Sequence, residues 1–108
     1  MAELEPFIQR TQDKTNGDVV PGFTVQIASL PREATAAGYL KSLAQQIDKE
    51  LIYVQLSHYN GKDFIAVFIG SYPSSALANA AMLELPIALK ANKPLVRTWN
   101  KIRQDQLS

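Results

Sequence analysis

His58 is the only histidine among the 108 residues, and Asp63 follows it across a short turn. An imidazole beside a carboxylate can begin general acid–base chemistry, but it needs a nucleophile or a second titratable group within reach. No Ser or Thr nucleophile, second histidine or metal-ligating cluster accompanies the pair in a recognisable spacing. Asp48 and Glu50 stand together at the end of a helical stretch rather than as facing carboxylates, so glycosidase chemistry is not indicated. The chain has no cysteine, which excludes disulfides, thiolate catalysis and cysteine–zinc sites. The expectation is a non-catalytic domain without metal or cofactor, with His58 and Asp63 as a surface pair.

A second group of residues suits holding a ligand better than transforming one. Tyr53, Phe64 and Phe68 occur in strand-like stretches beside Gln26, Gln55 and Ser57. Aromatic rings stack, while amides and hydroxyls exchange hydrogen bonds, so the combination fits a planar, uncharged, hydroxyl-rich ligand. A net charge of +1 gives no strong steering toward nucleic acid or anionic lipid.

The elements that carry these residues are visible in an internal repeat. Phe23 to Pro31 reads FTVQIASLP, and Ile65 to Pro73 reads IAVFIGSYP. Val25, Ile27, Ser29 and Pro31 recur as Val67, Ile69, Ser71 and Pro73, an offset of 67 − 25 = 42. Each copy is an alternating strand that runs through Ser-x-Pro toward a helical stretch. Strict alternation places Phe23, Val25 and Ile27 on one side and Thr24, Gln26 and Ala28 on the other. Pro31 suits the first turn of a helix, where its missing N–H costs nothing. Ala36, Leu40, Leu43 and Ile47 then form an apolar helical stripe, with Gly38 inside it for close approach to a strand. In the second helix Ser74 is the expected N-cap, Leu77, Ala78, Ala81, Met82 and Leu85 form the stripe, and Pro86 ends it.

Between the repeats, Asn60-Gly61 joins two strand-like runs, the strongest short hairpin signal. A turn of that type pairs Tyr59 with Lys62, Ser57 with Phe64, Gln55 with Ala66 and Tyr53 with Phe68. Ile52, Val54 and Leu56 then oppose Ile69, Val67 and Ile65 on the other side, and this aliphatic side is the core. Residues 87–94 read as a loop. Leu95 to Trp99 reads as the last strand, with Leu95, Arg97 and Trp99 on one side and Val96 and Thr98 on the other. The order is β-α-β-β-α-β. The expected class is α+β, a ferredoxin-like or RNP-like sandwich with a four-stranded antiparallel sheet and both helices on one face. Its other face is open and carries the aromatic and amide residues. Residues 1–21 read as a linker or flexible arm, in which Leu4, Phe7 and Ile8 can dock a short helical turn. The folded domain is expected over 22–103 and a tail over 104–108.

From Phe23 to about Arg103 the chain resembles SPOR domains, the peptidoglycan-binding modules named after sporulation-related repeats. FTVQIASL matches the family's opening pattern of aromatic-x-Val-Gln-hydrophobic-x-Ser-hydrophobic, and IAVFIGSYPS resembles its third strand, with the family's glycine at Gly70. The family's more usual Gly-Pro-Phe is Gly70-Ser71-Tyr72 here. The resemblance implies a βαββαβ fold whose sheet binds glycan strands stripped of stem peptides, such as those enriched at division septa. It carries glycan contact to Gln26 and Ser29. Phe64 and Leu95 stand where a family member has Trp. Tyr53, Gln55, Phe68 and Trp99 are added to the site from the face pattern of this sequence. The same resemblance implies a periplasmic setting in a Gram-negative bacterium, division-protein partners, and a parent protein tied to the membrane through a segment absent here. The domain itself is expected to be a monomer.

Bland readings stand beside these. Ser29 can cap the first helix. Phe64 and Phe68 can be covered by a terminal segment or by a partner chain. Trp99 either packs the C-terminal residues or joins the platform. Arg97 is a surface charge or a contact for glycan carboxylates or lactyl groups. The alternative function is a protein-interaction or dimerisation domain using the same aromatic face. RNA binding on the same topology is a further reading, made unfavourable by KDFIAVFIG, which lacks the aromatic-rich third-strand pattern such modules need, and by the near-zero net charge.

Overall fold

The computed structural model of the chain describes residues 5–16, 21–31, 35–59, 61–91 and 93–104. The strands are β1 (Phe23–Pro31), β2 (Ile52–Tyr59), β3 (Lys62–Tyr72) and β4 (Leu95–Thr98), in the sheet order β2-β3-β1-β4. Every neighbouring pair is antiparallel, and the two repeat strands, β1 and β3, lie side by side at the centre. This is the expected α+β sandwich. The hairpin register follows the turn: Tyr59 pairs with Lys62, Ser57 with Phe64, Gln55 with Ala66 and Tyr53 with Phe68. Gly61 takes φ 76°, as such a turn requires, while Asn60 lies outside the described residues.

The helices α2 (Thr35–Leu43) and α3 (Ser75–Leu83) cover the aliphatic face. Val25, Ile27, Ile52, Val54, Ile65, Val67 and Ile69 meet Leu40, Leu43, Ala78 and Leu85 in one buried cluster. Ser74 caps α3 by accepting a hydrogen bond from the Leu77 amide at 3.2 Å. Four details differ from the sequence expectation. Pro31 ends β1 instead of opening α2, because the β1–β3 ladder continues to the pair Pro31–Phe64. Leu77 is 52% exposed, pointing away from the stripe that Ala78 and Leu85 complete. Residues Ile87–Lys90 form a short helix, α4, which buries Leu89. Gly38 is exposed, and a Cβ there would meet nothing within 4 Å, so no strand approaches it. Gly38→Ala should therefore raise stability by about 0.5–1 kcal/mol, read as a higher urea midpoint; a lower midpoint would mean the glycine is needed.

The segment read as a flexible arm contains α1 (Glu5–Lys14). Leu4 is outside the described residues, but Phe7 and Ile8 pack against the main cluster. The helix lies along β2, the outer strand on that side. The Thr11 hydroxyl accepts from the Val54 amide at 2.8 Å, and Arg10 donates to the carbonyls of Lys49 and Ile52 at 2.8 and 2.7 Å. Edge-strand groups that would otherwise invite another chain are thus satisfied internally. The inward face of α1 and the turn after it is Phe7, Ile8, Thr11 and Thr15 at helical spacing, and only the first two are apolar, so the stripe is short in hydrophobic residues. No helix among the described residues is long and apolar enough to cross a membrane.

Candidate functional site

The second face of the sheet holds the candidate site. Across the strands it carries the rows Tyr53–Phe68–Gln26–Leu95, Gln55–Ala66–Ser29 and Thr24–Arg97. Gln26 and Ser29 are three positions apart, so strict alternation would put them on opposite faces. A bulge prevents this. Gln26 pairs with Phe68 and Ala28 with Val67, so β1 advances two residues while β3 advances one. Ile27 and Ala28 both pack toward the helix-covered core, and Ser29 is turned to the second face opposite Ala66. The expectation that Ala28 shares a face with Gln26 is corrected by the same shift. Ser29 lies within β1 and is exposed, so it is not a helix cap.

The second repeat does the same thing. Val25 pairs with Ile69 and Phe23 with Tyr72, which leaves one extra residue in β3 around Gly70, at φ 75°. Ser71 is thereby turned to the second face, where its hydroxyl accepts a hydrogen bond from the Trp99 indole Nε1 at 3.2 Å. The two equivalent serines therefore face the same way and are both exposed, and of the two it is Ser71 that accepts the Trp99 N–H.

Half of the face is not open. β4 stops at Thr98, and Trp99 begins α5 (Trp99–Gln104), which turns back over the sheet. The Thr98 hydroxyl accepts from the Lys101 amide at 3.1 Å and so caps the helix. Trp99 and Ile102 form a second buried cluster with Phe68 and Ala66, flanked by Tyr53 and Phe64. The Trp99 ring meets Tyr53 edge-on at 4.8 Å between centroids and Phe68 at 6.0 Å, and the Lys14 ammonium sits 5.9 Å from the indole. Gln55 Nε2 donates to the Ile102 carbonyl and to the Ser57 hydroxyl, both at 3.0 Å.

The eight candidate residues thus separate into two sets. Trp99, in α5 itself, is buried, as are Phe68 and Gln55, and Tyr53 is half-buried, these three in contact with α5. The open platform expected from the face pattern does not exist at these positions, because the aromatic rings bury more apolar surface against α5 than they would by facing water. Ser29 and Leu95 are exposed and Gln26 is half-buried, while Phe64 packs partly against the α5 cluster and is itself half-buried, so the residues carried over from the resemblance line the part that remains accessible. Arg97 joins them. It lies on β4 beside Leu95, and its Nη1 donates to Gln26 Oε1 at 2.9 Å. A guanidinium can only donate, so this bond fixes which end of the Gln26 amide faces it and leaves Nε2 as the group offered outward. Neither the bulge nor the Gln26–Arg97 pair is readable from alternation; a Ser placed off-phase from a neighbouring Gln was the available signal.

The fold and this face define a βαββαβ binding module, and the chain belongs to the SPOR domain family, whose model matches residues 20–98. The family comprises peptidoglycan-binding modules. The chain is similar to the cell division protein DamX of Serratia marcescens, at 34% identity over 83 residues, which cover 77% of this chain. It spans 37% of that relative's length.

Proposed function

We propose that this domain is a non-catalytic module that binds peptidoglycan glycan strands freed of their stem peptides. The contact surface is the uncovered part of the sheet face formed by Gln26, Ser29, Phe64 and Leu95. By this binding it places a parent division protein at the septum, in the periplasm, together with other division proteins. The observation that carries the reading is the bulge that brings Gln26 and Ser29 onto one accessible face. Gln26 Nε2 supplies donors for the acetamido and hydroxyl oxygens of a sugar, and the Ser29 hydroxyl both donates and accepts. Phe64 offers a half-exposed ring to the C–H face of a pyranose, and Leu95, 49% exposed, adds an apolar contact. The competing reading, self-association through the aromatic face, is disfavoured because α5, through Trp99 and Ile102, already covers Phe68 and Ala66.

The test is sedimentation with purified sacculi, intact and amidase-treated. The native domain should pellet more strongly with treated sacculi. Gln26→Ala should weaken that retention by about five- to a hundredfold while keeping its circular dichroism spectrum, a loss of roughly 1–3 kcal/mol. Undiminished retention of a folded Gln26→Ala protein would remove Gln26 from the site.

A further inference from the structure

We infer that Arg97 reads the free lactyl carboxylate that peptide removal leaves on each muramic acid, an inference that rests on the glycan-binding reading above. In intact peptidoglycan the lactyl carboxyl group is tied to the stem peptide as an amide. Hydrolysis of that amide releases the peptide and leaves a carboxylate on the sugar. A stripped strand therefore differs from an intact one in charge at every muramic residue as well as in bulk.

The structure favours recognition of the charge over exclusion of the bulk. β4 is the outermost strand on its side of the sheet, so among the described residues no further strand walls the site beyond Leu95 and Arg97. A peptide leaving a bound sugar over that edge would meet no strand. Attraction to a group present only in the stripped strand achieves the selection without a wall. Of the described residues that β1 and β4 place on this half of the face, namely Thr24, Gln26, Ser29, Leu95 and Arg97, only Arg97 is charged.

Arg97 is also held in place before any ligand arrives. It is half-buried, sits opposite Thr24 in the β1–β4 ladder, and donates to Gln26 Oε1. A guanidinium already ordered by its own sheet loses little freedom on meeting a carboxylate, and partial burial strengthens the charge-assisted hydrogen bond. The Gln26–Arg97 pair sets an amide and a guanidinium side by side. A lactyl carboxylate next to an acetamido carbonyl presents acceptors side by side, so the two groups of muramic acid match the two side chains.

The experiment uses one preparation of amidase-stripped glycan strands, in which the lactyl group supplies the only carboxylates. One half is left as it is, and in the other the carboxylates are converted to primary amides, which remain close in shape and carry no charge. Binding of the native chain to both is measured by calorimetry, with Arg97→Gln and Arg97→Lys alongside. The native chain should bind the carboxylate form about tenfold or more tightly than the amide form, the usual gain for a hydrogen bond to a charged group. Arg97→Gln should bind both forms alike, at the level of the native chain on the amide, and Arg97→Lys should retain part of the preference. Equal binding of both forms by the native chain overturns the inference while leaving glycan binding intact. Failure of the native chain to bind either form overturns the glycan reading itself, and the inference with it. If Arg97→Gln does not fold, the comparison of the two glycan forms on the native chain decides alone.

Discussion

Trp99→Ala should cost about 3–5 kcal/mol, the range for truncating a fully buried aromatic side chain. At the size of this domain that is a drop in Tm of roughly 12 °C or more. It would consume a large share of the 5–15 kcal/mol that typically holds a domain together. Trp99 has no exposed surface, is gripped between Tyr53 and Phe68, and donates its indole N–H to Ser71. Its backbone amide also continues the pairing of β4 with β1 by donating to the Gly22 carbonyl at 3.1 Å. Without the indole, α5 keeps only Ile102 as an apolar anchor in its cluster, and Phe68 loses its cover. Amide exchange over residues 99–104 should therefore accelerate more than the global loss of stability requires. Trp99→Phe should lose much less, since a ring remains and the main deletion is the bond to Ser71. A Tm change below about 3 °C for Trp99→Ala would mean that α5 contributes little to the fold.

Gly70→Ala is the second substitution with a large expected effect, about 2–4 kcal/mol. Its backbone is in the left-handed region at φ 75°, which costs an L side chain roughly 1–2 kcal/mol. A Cβ at this position would also collide with the Tyr72 ring, which lies directly over the glycine. Relief by swinging the ring away is opposed by its packing against the main core, a setting in which burial also raises the Tyr72 hydroxyl pKa above its ordinary 10.0. The Thr24 hydroxyl ties the bulge down by donating toward the carbonyls of Ile69 and Gly70, at 3.1 and 2.6 Å. Because the bulge turns Ser71 toward Trp99, straightening it would loosen α5 as well. Urea denaturation of Gly70→Ala, Tyr72→Ala and the double variant separates the two causes. If the ring collision matters, the double variant will be more stable than the sum of the single losses allows. A Gly70→Ala loss below about 0.5 kcal/mol would show that neither strain nor collision operates.

The two substitutions act on one arrangement. The bulge in β3 aims Ser71 at Trp99, Trp99 pins α5 on the β2–β3 half of the sheet face, and α5 confines the accessible surface to the β1–β4 half and the part of Phe64 left uncovered on β3. On that half the bulge in β1 aims Ser29 outward beside Gln26. The site is therefore small because of what covers its neighbours. Its candidate contact residues sit on paired strands, where they are held more rigidly than on a loop.

The sequence by itself determined what local chemistry controls. The Asn-Gly turn set the β2–β3 register and with it the aliphatic core side, because a tight turn permits one pairing and side chains alternate strictly from there. The repeat at offset 42 announced the two central strands, and Ser74 announced the start of α3. Candidate residues carried by Val-Gln-x-x-Ser were legible as a pattern of types. Tertiary structure decided which of the candidates a ligand can reach. Alternation counts residues along one strand and is blind to a bulge, which is defined by the partner strand. It equally gives Phe68 and Gln55 a face without saying what lies on it. The cover came from Trp99 and Ile102, remote in sequence from β2 and β3, in a helix of only six residues that docks because aromatic surface is more stable buried than wet. Helix α1 was hidden for a related reason: its inward face is Phe7, Ile8, Thr11 and Thr15, and the two threonines, buried through hydrogen bonds that the sequence does not show, read as polar.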